Sequence, residues 1–144
     1  MANPSREYQQ AVERAYAALG AADADPSSIA EPHRSIALVD SCLGLIENGG
    51  IEYLFECQLP HQPPYGVIAA AFRNCGAPQA AALLEAAADM LPGDRPHLDP
   101  EARAAFLRAQ TTEFKQLAIR ANALFWAADH INNGLVAYAA RSTV

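Results

Sequence analysis

The chain is 144 residues long, 51% hydrophobic and 18% charged, with a net charge of −6. That length fits one domain able to bury most of its unfolded surface without disulfide staples. No apolar run approaches the ~18 residues a membrane-spanning helix needs, and the acidic balance argues against direct nucleic-acid binding.

The first segment, "MANPSREYQQ", lacks the apolar core of a signal peptide, so a cytoplasmic location is expected. Asn3 and Pro4 form a helix-start signal, and Tyr8, Val12, Ala15, Tyr16 and Leu19 recur at helical spacing. Gly20 is expected to end this helix. The small, polar, proline-punctuated stretch "AADADPSSIAEPHR" reads as a loop, which would let the first helix sit apart from the main body.

From Ser35 to Asn48 the apolar residues Ile36, Leu38, Val39, Cys42, Leu43, Leu45 and Ile46 leave only a narrow polar stripe. A helix apolar around most of its circumference is central and buried. Gly49 and Gly50 then interrupt it. Glycine costs about 1 kcal/mol inside a helix, so the pair marks a corner, with Asn48 or Gly49 in the left-handed conformation. A new short helix runs from Ile51 to Cys57, with Tyr53, Leu54 and Cys57 toward the core. Glu52 and Glu56, four apart, share the opposite face.

"QLPHQPPYG" is a proline-rich loop. A helix through "VIAAAFRN" ends at Gly76, and another opens at Pro78 and stops at Pro92-Gly93. After the loop "GDRPHLDP", Asp99 with Pro100 starts a further helix carrying Ala102, Ala105, Phe106 and Ala109. A break is expected near Thr111-Thr112. The last stretch places Leu117, Ala121, Leu124, Ala128, Ile131, Leu135 and Tyr138 on one stripe, with Asn132-Asn133-Gly134 as a potential kink. The whole predicts an all-α, compact single-domain bundle of six or seven helices. Residues 1–34 supply the N-terminal helix and polar loop, and 35–144 the helical core, all within one domain.

Catalytic chemistry finds little support. His33, His61, His97 and His130 have no metal-binding spacing to one another or to a cysteine. No phosphate loop and no nucleophile elbow is present. Asp129 is adjacent to His130 on a helix and so cannot orient it. Cys75 lies at a helix C-terminus, the wrong end to activate a thiol, and Cys42, Cys57 and Cys75 are expected reduced. Arg103, Arg108, Lys115, Arg120 and Arg141 are scattered among neutralising acids. Neither a cofactor nor a metal is expected, and the chain is read as no enzyme.

Charge is distributed unevenly. Residues 1–60 hold nine acids against three bases, whereas 61–144 are balanced. An acidic half favours a basic partner. Trp126, grouped with Asn122, Asp129, His130 and Asn133 on the polar side of the last helix, reads either as a partner anchor or as the edge of the core.

The ordered motifs "ENGGIEYLF", "VIAAAFRNCGAPQAAALLEAA" and "LFWAADHINNGLVAYAA" carry a family resemblance. The matching positions are Asn48, Gly49, Gly50, Phe55, Gly76, Ala77, Leu83, Leu84, Ala87 and Tyr138. The chain resembles a bacterial all-helical domain-of-unknown-function family with an N-G-G corner, over roughly residues 35–140. That family is similar to the acidic DNA-mimic proteins, whose carboxylates imitate phosphates and occupy a transcription factor's DNA site. The resemblance implies a non-enzymatic module, monomeric or homodimeric, that binds a basic protein such as a transcription regulator. It implies no direct contact with nucleic acid or membrane. DNA presents one charge per ~1.7 Å of axis, so a mimic needs a row of carboxylates on a rigid surface. Asp40, Glu47, Glu52 and Glu56 are the candidates for part of such a row, with Trp126 as an anchor. The alternatives are an immunity-type protein that neutralises a toxin, or an enzyme with a dispersed His/Asp site.

Overall fold

The computed structural model describes residues 5–142. Among these residues the chain forms seven α-helices and no strand. They are α1 (Arg6–Ala21), α2 (His33–Glu56), α3 (Tyr65–Asn74), α4 (Pro78–Asp89), α5 (Pro100–Arg108), α6 (Thr112–Trp126) and α7 (Ala128–Ser142). Short 3-10 turns at Pro26–Ser28 and Pro96–Leu98 sit in the two loops.

Local chemistry explains most helix starts. Ser5 caps α1 by accepting from the Tyr8 amide at 3.1 Å. The expected signal at Asn3 and Pro4 lies outside the described residues. Asp99 caps α5 through the Ala102 amide, and Thr111 caps α6 through the Phe114 amide. Pro78 opens α4, where its missing N–H costs nothing. Gly20 does not end α1: the helix runs through it to Ala21.

α2 is the axis of the bundle, packed against α1, α3, α5, α6 and α7. Ile36, Ala37, Leu38, Val39, Cys42, Leu43 and Ile46 are buried along it, with Leu45 half-buried. α1 does not stand apart. It buries Tyr8, Ala11 and Ala15, and the Tyr8 and Tyr16 hydroxyls donate to the Asp40 carboxylate of α2 at 2.7 and 2.8 Å. Burial of small and aromatic side chains along one stripe outweighs the freedom of the following loop.

The core is stapled by edge-to-face aromatic pairs: Phe55 with Tyr65, Phe72 with Phe125, and Phe106 with Phe114. Glu31 ties three helices together. Its carboxylate accepts from the Ser35 amide and hydroxyl and from the Tyr138 hydroxyl, while Asn74 donates to the Ser35 hydroxyl.

The C-terminal stretch is two helices. It breaks at Ala127, between α6 and α7, while Asn132, Asn133 and Gly134 lie inside α7. Trp126 therefore ends α6, and Asp129, His130 and Asn133 belong to a different helix. Gly134 serves packing: a Cβ there would sit 2.0 Å from the Cys75 carbonyl oxygen at the end of α3. On α5 the buried residues are Arg103 and Leu107, rather than the alanines.

Candidate functional site

The break in α2 falls between the candidate carboxylates Asp40 and Glu47 on one side and Glu52 and Glu56 on the other. Gly50, with φ of 77°, is the residue at positive φ, while Gly49 is non-helical at φ −153° and ψ 17° and Asn48 is helical. The glycine demand is therefore one residue later than the helix-closing pattern suggests. A Cβ on Gly50 would also meet the Asn122 amide nitrogen at 2.6 Å.

Helix α6 supplies side chains to both sides of the break. The Asn122 Oδ1 accepts from the Ile51 amide at 2.8 Å, in the manner of an N-cap lent by another helix. The Asn122 Nδ2 donates to the Glu52 carboxylate at 2.9 Å. One turn further along α6, the Trp126 Nε1 donates to the Ile46 carbonyl at 2.9 Å, in the last turn before the break. Asn122 is buried, contrary to its expected place on a polar face.

Beyond the break, Ile51, Leu54 and Phe55 fill the core. Tyr53, expected inward, is 39% exposed and lies over Gly49. Phe55 takes the inward place because it lies one turn from Ile51. Cys57 is half-buried.

The four candidate carboxylates differ in circumstance. Asp40 is half-buried and engaged by the two tyrosines of α1. Glu47, two turns along the same side of α2, has its pKa raised by burial and then by Asp40. Glu52 is half-buried and clamped by Asn122, and Glu56 is exposed. Trp126 is 56% exposed although its indole nitrogen is tethered, and Ile119, two turns earlier on α6, is 69% exposed.

The sequence sets Arg103 among neutralising acids, yet it makes no ion pair with any described residue. It is 1% exposed and ends the second half of α2. Its guanidinium donates to the carbonyls of Phe55 and Pro96 at 2.7 and 2.8 Å, and more distantly to the Cys57 carbonyl and Gln58 side chain. A cation at the negative end of a helix explains this burial without a carboxylate.

The histidines do not converge. His130 hydrogen-bonds the Ala127 carbonyl, and His61 the Asp23 carbonyl. Among the described residues, no group of three or more His, Cys, Asp or Glu residues is placed to hold a metal ion. All three cysteines are free, and burial pushes the Cys42 and Cys75 thiols up to about 12. No described helix is long and apolar enough to cross a membrane.

The family model of the DMP19-like proteins matches residues 27–142. The chain belongs to that family. The match takes in α2 to α7, and with them the break, Asn122 and Trp126, while α1 lies before it. No curated protein and no solved structure matches the chain.

Proposed function

We propose that the chain is a non-enzymatic protein-binding module that takes a basic DNA-binding protein on the acidic surface around the α2 break. The observation that carries this reading is the clamp on Glu52. Its carboxylate is held by buried Asn122 across a joint with two capping contacts, and the exposed Trp126 follows Asn122 by one turn of α6. A carboxylate already fixed in place loses little entropy on binding. A half-exposed tryptophan at the same joint is a residue type enriched among those that dominate interfaces. Membership of the DMP19-like family and the resemblance to acidic DNA mimics both favour a partner that otherwise holds phosphates. The concentration of net charge in residues 1–60 favours it too.

The test is affinity capture from source-cell lysate at low and high salt, followed by competition with duplex DNA. A basic DNA-binding protein is expected at low salt, displaced both by DNA and by high salt, since exposed charges are screened beyond ~10 Å at 0.1 M. Glu56→Lys combined with Glu52→Gln, which keeps an acceptor for Asn122, is expected to abolish capture. Unchanged affinity in that double variant would rule this surface out. Salt-insensitive capture would instead favour an apolar interface, as in a toxin-neutralising protein.

A further inference from the structure

A second feature lies on the N-terminal half of α2, two turns and more before the break. Two hollows open there between α1, the 22–32 loop and the 58–64 loop. The first has a volume of about 200 Å³ and is walled by Leu19, Leu38, Cys42, Leu59 and Pro60, with Tyr16 and Ser41 among its lining. The second, about 220 Å³, is lined by Asp25, Ser27, Arg34 and His61. Pro26 and Pro63 line both hollows, so they form one furrow with an apolar and a polar chamber. Its combined volume falls in the range of small-molecule sites.

Hydrogen-bond accounting shows which charged group of the polar chamber is free to take a ligand. Asp25 is spent within its own turn, where its carboxylate accepts from the Ser27 amide and hydroxyl and the Ser28 hydroxyl. Arg34 uses only Nε, which donates to the Ile29 carbonyl at 3.1 Å. Its two terminal guanidinium nitrogens make no hydrogen bond or ion pair with any described residue. With the His61 Nε2 engaged by the Asp23 carbonyl, the charged group left unspent in the chamber is the Arg34 fork, whose planar geometry suits a carboxylate. The apolar chamber is lined by no charged side chain. Its Cys42 thiol is neutral, pushed up to about 12 by burial, and acts as one more apolar surface.

We propose that this furrow binds a small carboxylate with an apolar tail, the tail against Leu38 and Leu59 and the carboxylate on the Arg34 guanidinium. The site touches the candidate carboxylates only through the Tyr16 hydroxyl on Asp40, lies away from the α2 break, and does not depend on the function of the acidic surface there.

The test titrates sodium octanoate, octan-1-ol and octylamine into the isotope-labelled full chain, followed by amide chemical shifts. The three probes share a tail and differ in head group. Octanoate is expected to bind saturably and about tenfold more tightly than either of the others, with shifts around Leu38, Leu59 and Arg34. Arg34→Gln is expected to reduce octanoate to the level of octanol, and Leu59→Trp to exclude all three. Octylamine binding as tightly as octanoate would overturn the proposal. So would octanoate shifts that fail to saturate, or that centre on the α2 break. The comparison of head groups needs only the wild-type chain, so it stands even if a variant fails to fold.

Discussion

Asn122 on α6 and Ile51 on α2, 71 residues apart in sequence, share the hydrogen bond that turns the break in α2 into a fixed joint. The acceptor is a side chain 6% exposed, and the donor is the first amide after the two non-helical glycines. Trp126, one turn along from Asn122, holds the other side through the Ile46 carbonyl. The joint is thus held by α6, and the Glu52 carboxylate is held with it through Asn122.

Asn122→Ala is expected to lower stability by about 2 kcal/mol, because it leaves a buried amide without its acceptor and frees Glu52. Trp126→Phe keeps the ring but removes the N–H, and is expected to lose about 1 kcal/mol. Urea denaturation followed by circular dichroism measures both, since Trp126 is the only tryptophan and cannot report on its own removal. If the Phe variant matched wild type, the indole hydrogen bond would be no part of the joint.

Arg103 makes a sharper prediction. Its planar guanidinium spans the Phe55 and Pro96 carbonyls, a geometry an ammonium cannot reproduce. Arg103→Lys is therefore expected to destabilise nearly as much as Arg103→Met, by about 3 kcal/mol. Full rescue by lysine would mean that charge alone, rather than the fork, closes the end of α2.

Which of these features was legible in the sequence follows from how local each one is. The apolar circumference of α2, the cap at Asp99 and the break at Thr111 act within a turn or two, and their residue types announce them. The positions that carried the family resemblance also report local demands, such as Gly50 at positive φ and Phe55 in the core. The sequence puts Asn122 on a polar face and Arg103 among neutralising acids, because Glu52 and Phe55, which engage them, lie 70 and 48 positions away. A polar side chain satisfied across the fold has the same pattern as one satisfied by water. The α6–α7 break falls at Ala127 with no glycine or proline to mark it, while the apparent breaker Gly134 exists for contact with α3. Among the candidate acids, the shared helix of Glu52 and Glu56 follows from their spacing. The engagement of Asp40 by Tyr8 and Tyr16 depends on how α1 lands on α2, which no local pattern specifies.

The two demanding glycines are expected to tolerate alanine poorly, for different reasons. At Gly134 the obstacle is the Cys75 backbone, which cannot rotate away, so α7 must move off α3. Gly134→Ala is expected to cost about 3 kcal/mol. At Gly50 both the positive φ and the contact with Asn122 oppose a side chain. Gly20, with no atom within 4 Å of an added Cβ, is the internal control. Gly20→Ala is expected to stabilise α1 by about 0.5–1 kcal/mol. Thermal unfolding of the three variants side by side checks the order.

The tyrosine clamp and Glu47 give stability a pH dependence whose sign follows from burial. Burial pushes the Tyr16 phenol up from 10.0 to about 12, with the Asp40 carboxylate acting in the same direction, and Tyr8 is raised as well. A group that holds its proton more tightly in the folded state contributes fully below its unfolded pKa. That contribution is lost as pH rises through the folded value. α1 is therefore expected to loosen between pH 10 and 12, and Tyr16→Phe to remove part of that alkaline transition at a cost of about 1 kcal/mol near neutrality. Glu47 follows the same sign in another window. Burial and then Asp40 raise it above its ordinary 4.5, so its ionisation weakens the fold as pH climbs past that value. Glu47→Gln, a permanent mimic of the protonated acid, is expected to be more stable than wild type at pH 7 and equal to it at pH 3. Urea midpoints across that range decide the matter. A difference that persisted unchanged at pH 3 would trace to the shape of the amide and not to the carboxylate's charge beside Asp40.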